Sequence, residues 1–196
     1  MNPEKPHQRA AHLLTNLLNP FSVFTTLYAL VAFSTARVSE AALYVFVELA
    51  AAGLVAGYVF LLRRRRRVGD FWISTRAERL VPALVLLSAF VALLGALTLL
   101  GAPGVLVETT LSMGIASAAV AAMTLLWKAS AHAAVAGHAA AAGLLVLGPV
   151  GLVFIPVLPA VLWSRVAEGA HTPAQALAGA GVGAAFAAAF LAAFLA

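Results

Sequence analysis

VLVETTLSMGIASAAVAAMTLLWKASAHAAVAGHAAAAGLLVLGPVGLVFIPVLPAVLW, residues 105–163, is the stretch that decides the fold. Its only formally charged side chains are Glu108 and Lys128. A helix needs about 20 apolar residues to cross the hydrocarbon of a bilayer. The stretch is too long for one crossing and suits three. One break is expected at Lys128-Ala129-Ser130, its one polar cluster, and the other at Gly148-Pro149. The expected spans are then 105–127, 131–147 and 149–163. The last two are short, so they should tilt little or be surrounded by protein.

The same reading extends outward. Asn19-Pro20 offers a cap followed by proline in the first turn, a good helix start. Spans are expected over 20–36, 41–62 and 80–100, the last ending in the turn Gly101-Ala102-Pro103-Gly104. Pro173 opens a seventh that runs to the end of the sequence. Residues 1–18 are polar, then mildly amphipathic through Leu13, Leu14, Leu17 and Leu18, and read as a short interfacial helix. No small-residue cleavage site follows, so this segment is expected to be retained. Gly53/Gly57 and Gly179/Gly183 are small-xxx-small pairs of the kind that let helices pack closely.

Composition agrees. Of 196 residues, 63% are hydrophobic and 10% charged, with a mean hydropathy of +1.01. A soluble domain carries about 25% charged residues. No alternating strands of a transmembrane barrel are visible. The expectation is a single all-α domain over 1–196, a polytopic membrane helix bundle of about six or seven transmembrane helices. The absence of cysteine excludes disulfides and cysteine-ligated metal. The net charge of +5 is read as orientation and contact with anionic lipid rather than nucleic acid. Seven crossings gather Lys5, Arg9, Arg63 to Arg67, Arg76, Arg79, Lys128 and Arg165 on one face and leave only Arg37 on the other. The positive-inside rule puts the crowded face in the cytoplasm of a cell (inner or plasma) membrane.

Three polar groups on that face stand out. Arg165 precedes His171 by six residues, and Thr172-Pro173 places His171 at the positive end of a helix, which attracts anions such as phosphate. Arg165 adds a planar fork for phosphate oxygens. Lys128, Ser130 and His132 bring a cation, a hydroxyl and an imidazole to the next helix start. Arg76 and Arg79 lie in the loop before the 80–100 span. His138, Glu48 and Glu108 sit in apolar surroundings and are read mainly as structural. Asp70 and Glu78 are expected to partner nearby arginines, and Arg63 to Arg67 to anchor the chain to lipid.

The stretch SRVAEGAHTPAQALAGAGVG, 164–183, resembles the third signature of the type 2 phosphatidic acid phosphatase superfamily: Ser-Arg, five residues, His, three residues, Asp. Ser164, Arg165 and His171 fall on that spacing. Ala129-Ser130-Ala131-His132 resembles the second signature, Pro-Ser-Gly-His. Arg76 to Pro82 resembles the first, Lys, six residues, Arg-Pro, only loosely; Trp72 stands where its lysine would be. Gln175 replaces the aspartate of the third signature.

The resemblance implies a bundle with that superfamily's core and a metal-independent hydrolysis of a lipid phosphate or pyrophosphate, polyprenyl or phosphatidic acid-like. His171 would form a phosphohistidine and His132 would protonate the leaving group. Arg165, Ser130, Lys128 and Arg79 or Arg76 would hold phosphate, with Gln175 orienting His171. No cofactor and no metal would be needed, and the partners would be the lipid substrate and the bilayer, with a homo-oligomer left open. Two alternatives stand beside it. One is a catalytically weak relative that binds anionic lipid or a partner protein, which Gln175 favours. The other is a small transporter, supported by Glu48, Glu108 and His138 alone.

Overall fold

The computed structural model describes residues 6–73 and 75–196. Eight α-helices follow one another: α1 Pro6–Leu17, α2 Pro20–Thr35, α3 Val38–Arg64, α4 Leu80–Leu99, α5 Gly104–Leu126, α6 Ala131–Leu147, α7 Val157–Ala167 and α8 Pro173–Leu195. The described residues hold no strand. Among the described residues α3, α4, α5 and α8 are each long and apolar enough to cross a membrane, and α6 reaches that length only when the 3₁₀ residues after it are counted, five stretches in all. There are six if α1 and α2, bent 45° apart, count together.

The helix boundaries follow local chemistry. The Asn19 side chain accepts from the Ser22 N–H at 3.0 Å, with Pro20 in the first turn. Thr172 and Gln175 form a reciprocal capping box at the start of α8, satisfying two backbone donors that helix geometry leaves orphaned. Ser130 caps α6. Gly101 takes φ +67° in the turn between α4 and α5, a conformation that favours glycine.

The span expected over 149–163 is not one continuous helix. Gly148–Phe154 is 3₁₀ helix, and α7 has 11 residues. Pro149, Pro156 and Pro159 remove backbone donors along this segment. Gly148, at φ +55°, reverses the chain, and Gly151 then lies backbone to backbone against Gly143 of α6. The 3₁₀ stretch and α7 thus return along α6 as a broken segment.

That return lets α6 and α8 run in the same direction, and their interface is the most extensive in the bundle. Small residues make it close. A Cβ on Gly179 would strike the Ser130 carbonyl, one on Gly183 the Ala134 carbonyl, and one on Gly137 the Ala180 carbonyl. The Gly179/Gly183 pair therefore packs as expected. Gly53 and Gly57 meet nothing within 4 Å and face outward from α3. The core gathers Leu27, Tyr28 and Val31 of α2, Leu97 of α4, Leu106 and Met113 of α5, Ala139 and Ala142 of α6, and Leu191 of α8. The arm formed by α3 and α4 stands more apart: α3 packs on α2 and α4, and α4 on α3 and α5.

Candidate functional site

The α1–α2, α3–α4, α5–α6 and α7–α8 connections meet at one end of the bundle. The Trp72 indole donates to Asn16 at 3.3 Å. Arg79 donates through Nη1 to the Ala129 carbonyl at 3.4 Å and through Nε to the Ile73 carbonyl at 2.8 Å. The Ser130 N–H donates to the Gln175 carbonyl at 3.3 Å, and the His171 N–H to the Arg165 carbonyl at 3.2 Å. Of the sequence-predicted residues, His171, His132, Arg165, Ser130, Lys128, Arg79 and Gln175 are all brought to this end. Lys5 and the side chain of Arg76 lie outside the described residues.

Arg165 is 3% exposed. Its Nη1 donates to Glu168 at 2.6 Å and to Thr15 at 3.5 Å, while Nε is buried without a partner. Glu168 also faces His12 at 3.3 Å, so α1 is clamped over α7 by the same carboxylate. Ser130 is fully buried and accepts the Ala133 N–H at 3.3 Å, leaving its hydroxyl hydrogen to donate.

His132 and His171 are each 6% exposed. His132 Nε2 and His171 Nδ1 are buried without hydrogen-bond partners. The His132 ring meets Trp72 edge to face, with centroids 4.9 Å apart, a favoured aromatic geometry. The Lys128 backbone lies near the His171 ring and slightly favours its charged form, while His171 Nδ1 has no partner. Burial, then the charges of Arg165, Arg79 and Lys128, push the His171 imidazole down to about 4. Burial, then Arg79 and Arg165, also lowers the Lys128 ammonium from its usual range. Asp70 acts electrostatically on all three cations, the partnership expected for it. Glu78 instead accepts the Gly69 N–H at 3.0 Å. Gln175 spends its amide oxygen on the Thr172 N–H at 3.1 Å, so it holds the backbone beside His171 rather than the imidazole.

Two cavities share this cluster. An apolar cleft of about 670 Å³ lies between the α3–α4 arm and α2, α5 and α6, with Arg79, His132, Arg165 and His171 in its walls. A polar cavity of about 580 Å³ lies on the loop side, bounded by His12, Asp70, Lys128 and Glu168. Trp72 and Arg165 line both. The cations and imidazoles therefore stand where an apolar space meets a polar one. Glu48 also faces the cleft, 3% exposed, its carboxylate oxygens accepting from Thr25 at 2.9 and 3.0 Å. His138 is fully buried elsewhere and contacts Ser112 at 2.9 Å.

Sequence reasoning did not select Trp72, Thr15, His12 or Glu168 for the site. Glu168 sits three residues after Arg165, a spacing that lets helical side chains meet, so that signal was present. Trp72 reaches His132 across a long stretch of chain and carries no local signal. No protein-family model, no curated protein and no solved structure matches this chain.

Proposed function

We propose that the protein is a membrane phosphatase acting on a lipid phosphate or pyrophosphate, through a phosphohistidine at His171. The observation that carries this reading is the set of partnerless buried nitrogens, His171 Nδ1, His132 Nε2 and Arg165 Nε, at the seam of the apolar cleft and the polar cavity. Buried polar atoms are nearly always partnered. Three orphans beside Arg79 and Lys128 suit an anion with several oxygens. The apolar cleft suits an amphiphile.

Each residue then has a role the geometry permits. Neutral His171 presents the lone pair of its partnerless Nδ1 to phosphorus. The P–N bond forms as the P–O bond to the leaving group breaks. His132 gives the leaving oxygen a proton and takes one back from the water that then cleaves the phosphohistidine. Arg165 Nε, the Ser130 hydroxyl, Lys128 and Arg79 neutralise the phosphoryl oxygens. Phosphoryl transfer asks for little beyond such positioning and charge stabilisation. The likeness of Ser164-Arg165-(five residues)-His171 and Ser130-Ala131-His132 to the type 2 phosphatidic acid phosphatase signatures supports the same assignment. The positive-inside count supports a cytoplasmic position for this end.

The test is phosphate release by the purified protein from a panel of lipid phosphates and pyrophosphates. Release that survives chelator and disappears in a folded His171→Ala variant supports the reading. Strict dependence on added magnesium, or full activity in His171→Ala, refutes it.

A further inference from the structure

Resting on the phosphatase reading, we propose that the apolar cleft takes a single hydrocarbon chain of the substrate into the protein, to a fixed depth, rather than leaving it among bilayer lipids. The cleft walls run inward from the cluster along three helices. On α4 they extend from Leu80 to Leu93, on α5 from Leu125 to Met113, and on α3 from Val59 to Glu48. At 1.5 Å per residue these paths are about 16–20 Å long. The three paths end at Leu93, Met113 and Glu48; Leu93 and Met113 are buried, and the Glu48 carboxyl stands in the wall.

The floor is therefore a packed layer with a polar group in it, which a hydrocarbon end gains nothing by passing. The sides are small or apolar: Ala51, Ala52, Ala83, Ala89 and Ala118 leave the space that larger residues would fill. About 670 Å³ lies within the roughly 300–1,000 Å³ of sites that hold one small ligand. That favours one chain over the two of a diacyl lipid. Charge complementarity fixes the direction. Arg79, Arg165 and the two histidines sit at the mouth, so the phosphate stays there and the chain points toward Glu48. Freed phosphate leaves through the polar cavity bounded by Lys128 and His12.

Phosphate release from octyl, dodecyl and hexadecyl phosphate tests this, with diacyl phosphatidic acid as the two-chain substrate and p-nitrophenyl phosphate as the chainless control. Specificity (kcat/KM) should rise at least tenfold from octyl to hexadecyl, and the diacyl lipid should fall below hexadecyl phosphate. Ala118→Phe, about 12 Å along α5 from its Leu126 end, should cut the hexadecyl-to-octyl ratio at least tenfold. Ala89→Leu on the facing α4 is the milder variant and should shift the ratio the same way. A flat chain-length profile, or a ratio unchanged in both folded variants, overturns the proposal.

Absence of release from every substrate, the chainless one included, sinks the phosphatase reading alone. The cleft is then judged by thermal stabilisation in detergent. Hexadecyl phosphate stabilising the protein more than octyl phosphate, with the difference lost in Ala118→Phe, supports a chain site. No such difference overturns it.

Discussion

Gly179→Ala is the substitution whose effect is most directly fixed by the packing of α6 on α8. A Cβ at Gly179 would fall well inside 3.0 Å of the Ser130 carbonyl oxygen, and at 3.1 Å from the Ser130 carbonyl carbon and amide nitrogen. These are backbone atoms at the helix cap and cannot rotate away as a side chain could. Relief requires α6 and α8 to part by on the order of 1 Å at the level of the site. Overpacking of this kind costs typically about 1–3 kcal/mol. A 1 Å misplacement of reacting groups can cost about 100-fold in rate. His132 stands at the start of α6 and His171 just before α8, so the displacement acts on their separation.

The control lies two residues away in the same helix. Gly181 has nothing within 4 Å of its would-be Cβ, so Gly181→Ala meets no clash and gains about 1 kcal/mol of helix propensity. Thermal unfolding in detergent and phosphate release from hexadecyl phosphate should separate the two. Gly179→Ala should unfold at lower temperature and lose about 10- to 100-fold in kcat/KM, whereas Gly181→Ala should match or exceed the parent in both. Equal behaviour of the two variants would refute the argument that backbone contact between α6 and α8 sets the site.

Three further outcomes follow from other parts of the structure. With its folded-state pKa lowered to about 4 from 6.5, His171 stays neutral while an unfolded chain takes up a proton. Stability should therefore fall as pH drops from about 6.5 toward 4, and His171→Asn should lessen the slope across that window in a denaturation series, the other buried histidines keeping part of it; an unchanged slope would mean that His171 is solvated. Trp72→Ala removes the edge contact with His132, worth about 0.5–1.5 kcal/mol, and should reduce kcat roughly two- to tenfold while Trp72→Phe retains most of it; steady-state kinetics on both variants decides. The cysteine-free chain permits a single Thr172→Cys label at an exposed position, and an impermeant thiol reagent should reach it in inverted vesicles but not in intact cells; labelling of intact cells would reverse the orientation.

The features readable in the sequence are those fixed locally. Asn19-Pro20, Ser130 and Thr172-Pro173 each satisfy orphan backbone donors within three residues, so their helix starts stand where the caps put them. The span expected over 149–163 is broken rather than one helix, for a related reason. Its apolar composition is equally suited to a straight span and to a broken return, and the decision came from Gly148, three prolines and a backbone contact between Gly151 and Gly143. The two glycine pairs make the same point. Gly53/Gly57 and Gly179/Gly183 share one pattern, yet only the second has a helix against it. Small residues permit close approach, and the rest of the chain determines whether a partner is there.

The position of Gln175 bears on the chemistry in the same way. A carboxylate there would orient the His171 ring and also stabilise its charged form. Here the amide oxygen is committed to the helix cap, and the group that favours the charged ring is the neutral Lys128 backbone. A neutral carbonyl favours protonation of an imidazole far less than a carboxylate does, and burial with nearby Arg165, Arg79 and Lys128 outweighs it. On the proposed mechanism this keeps the Nδ1 lone pair available well below neutral pH. The cost falls on the intermediate, whose imidazolium character lacks an anionic neighbour at Gln175. The transferred phosphoryl group brings its own negative charge to the same ring, against three cations that Glu168 and Asp70 only partly balance. Placing an acid there by Gln175→Asp should therefore raise the pH at which His171 protonates, and it would weaken the cap, because the shorter side chain must leave the Thr172 N–H to reach the ring. A pH–rate profile of that variant whose acid limb does not move upward would show that residue 175 has no hold on the imidazole.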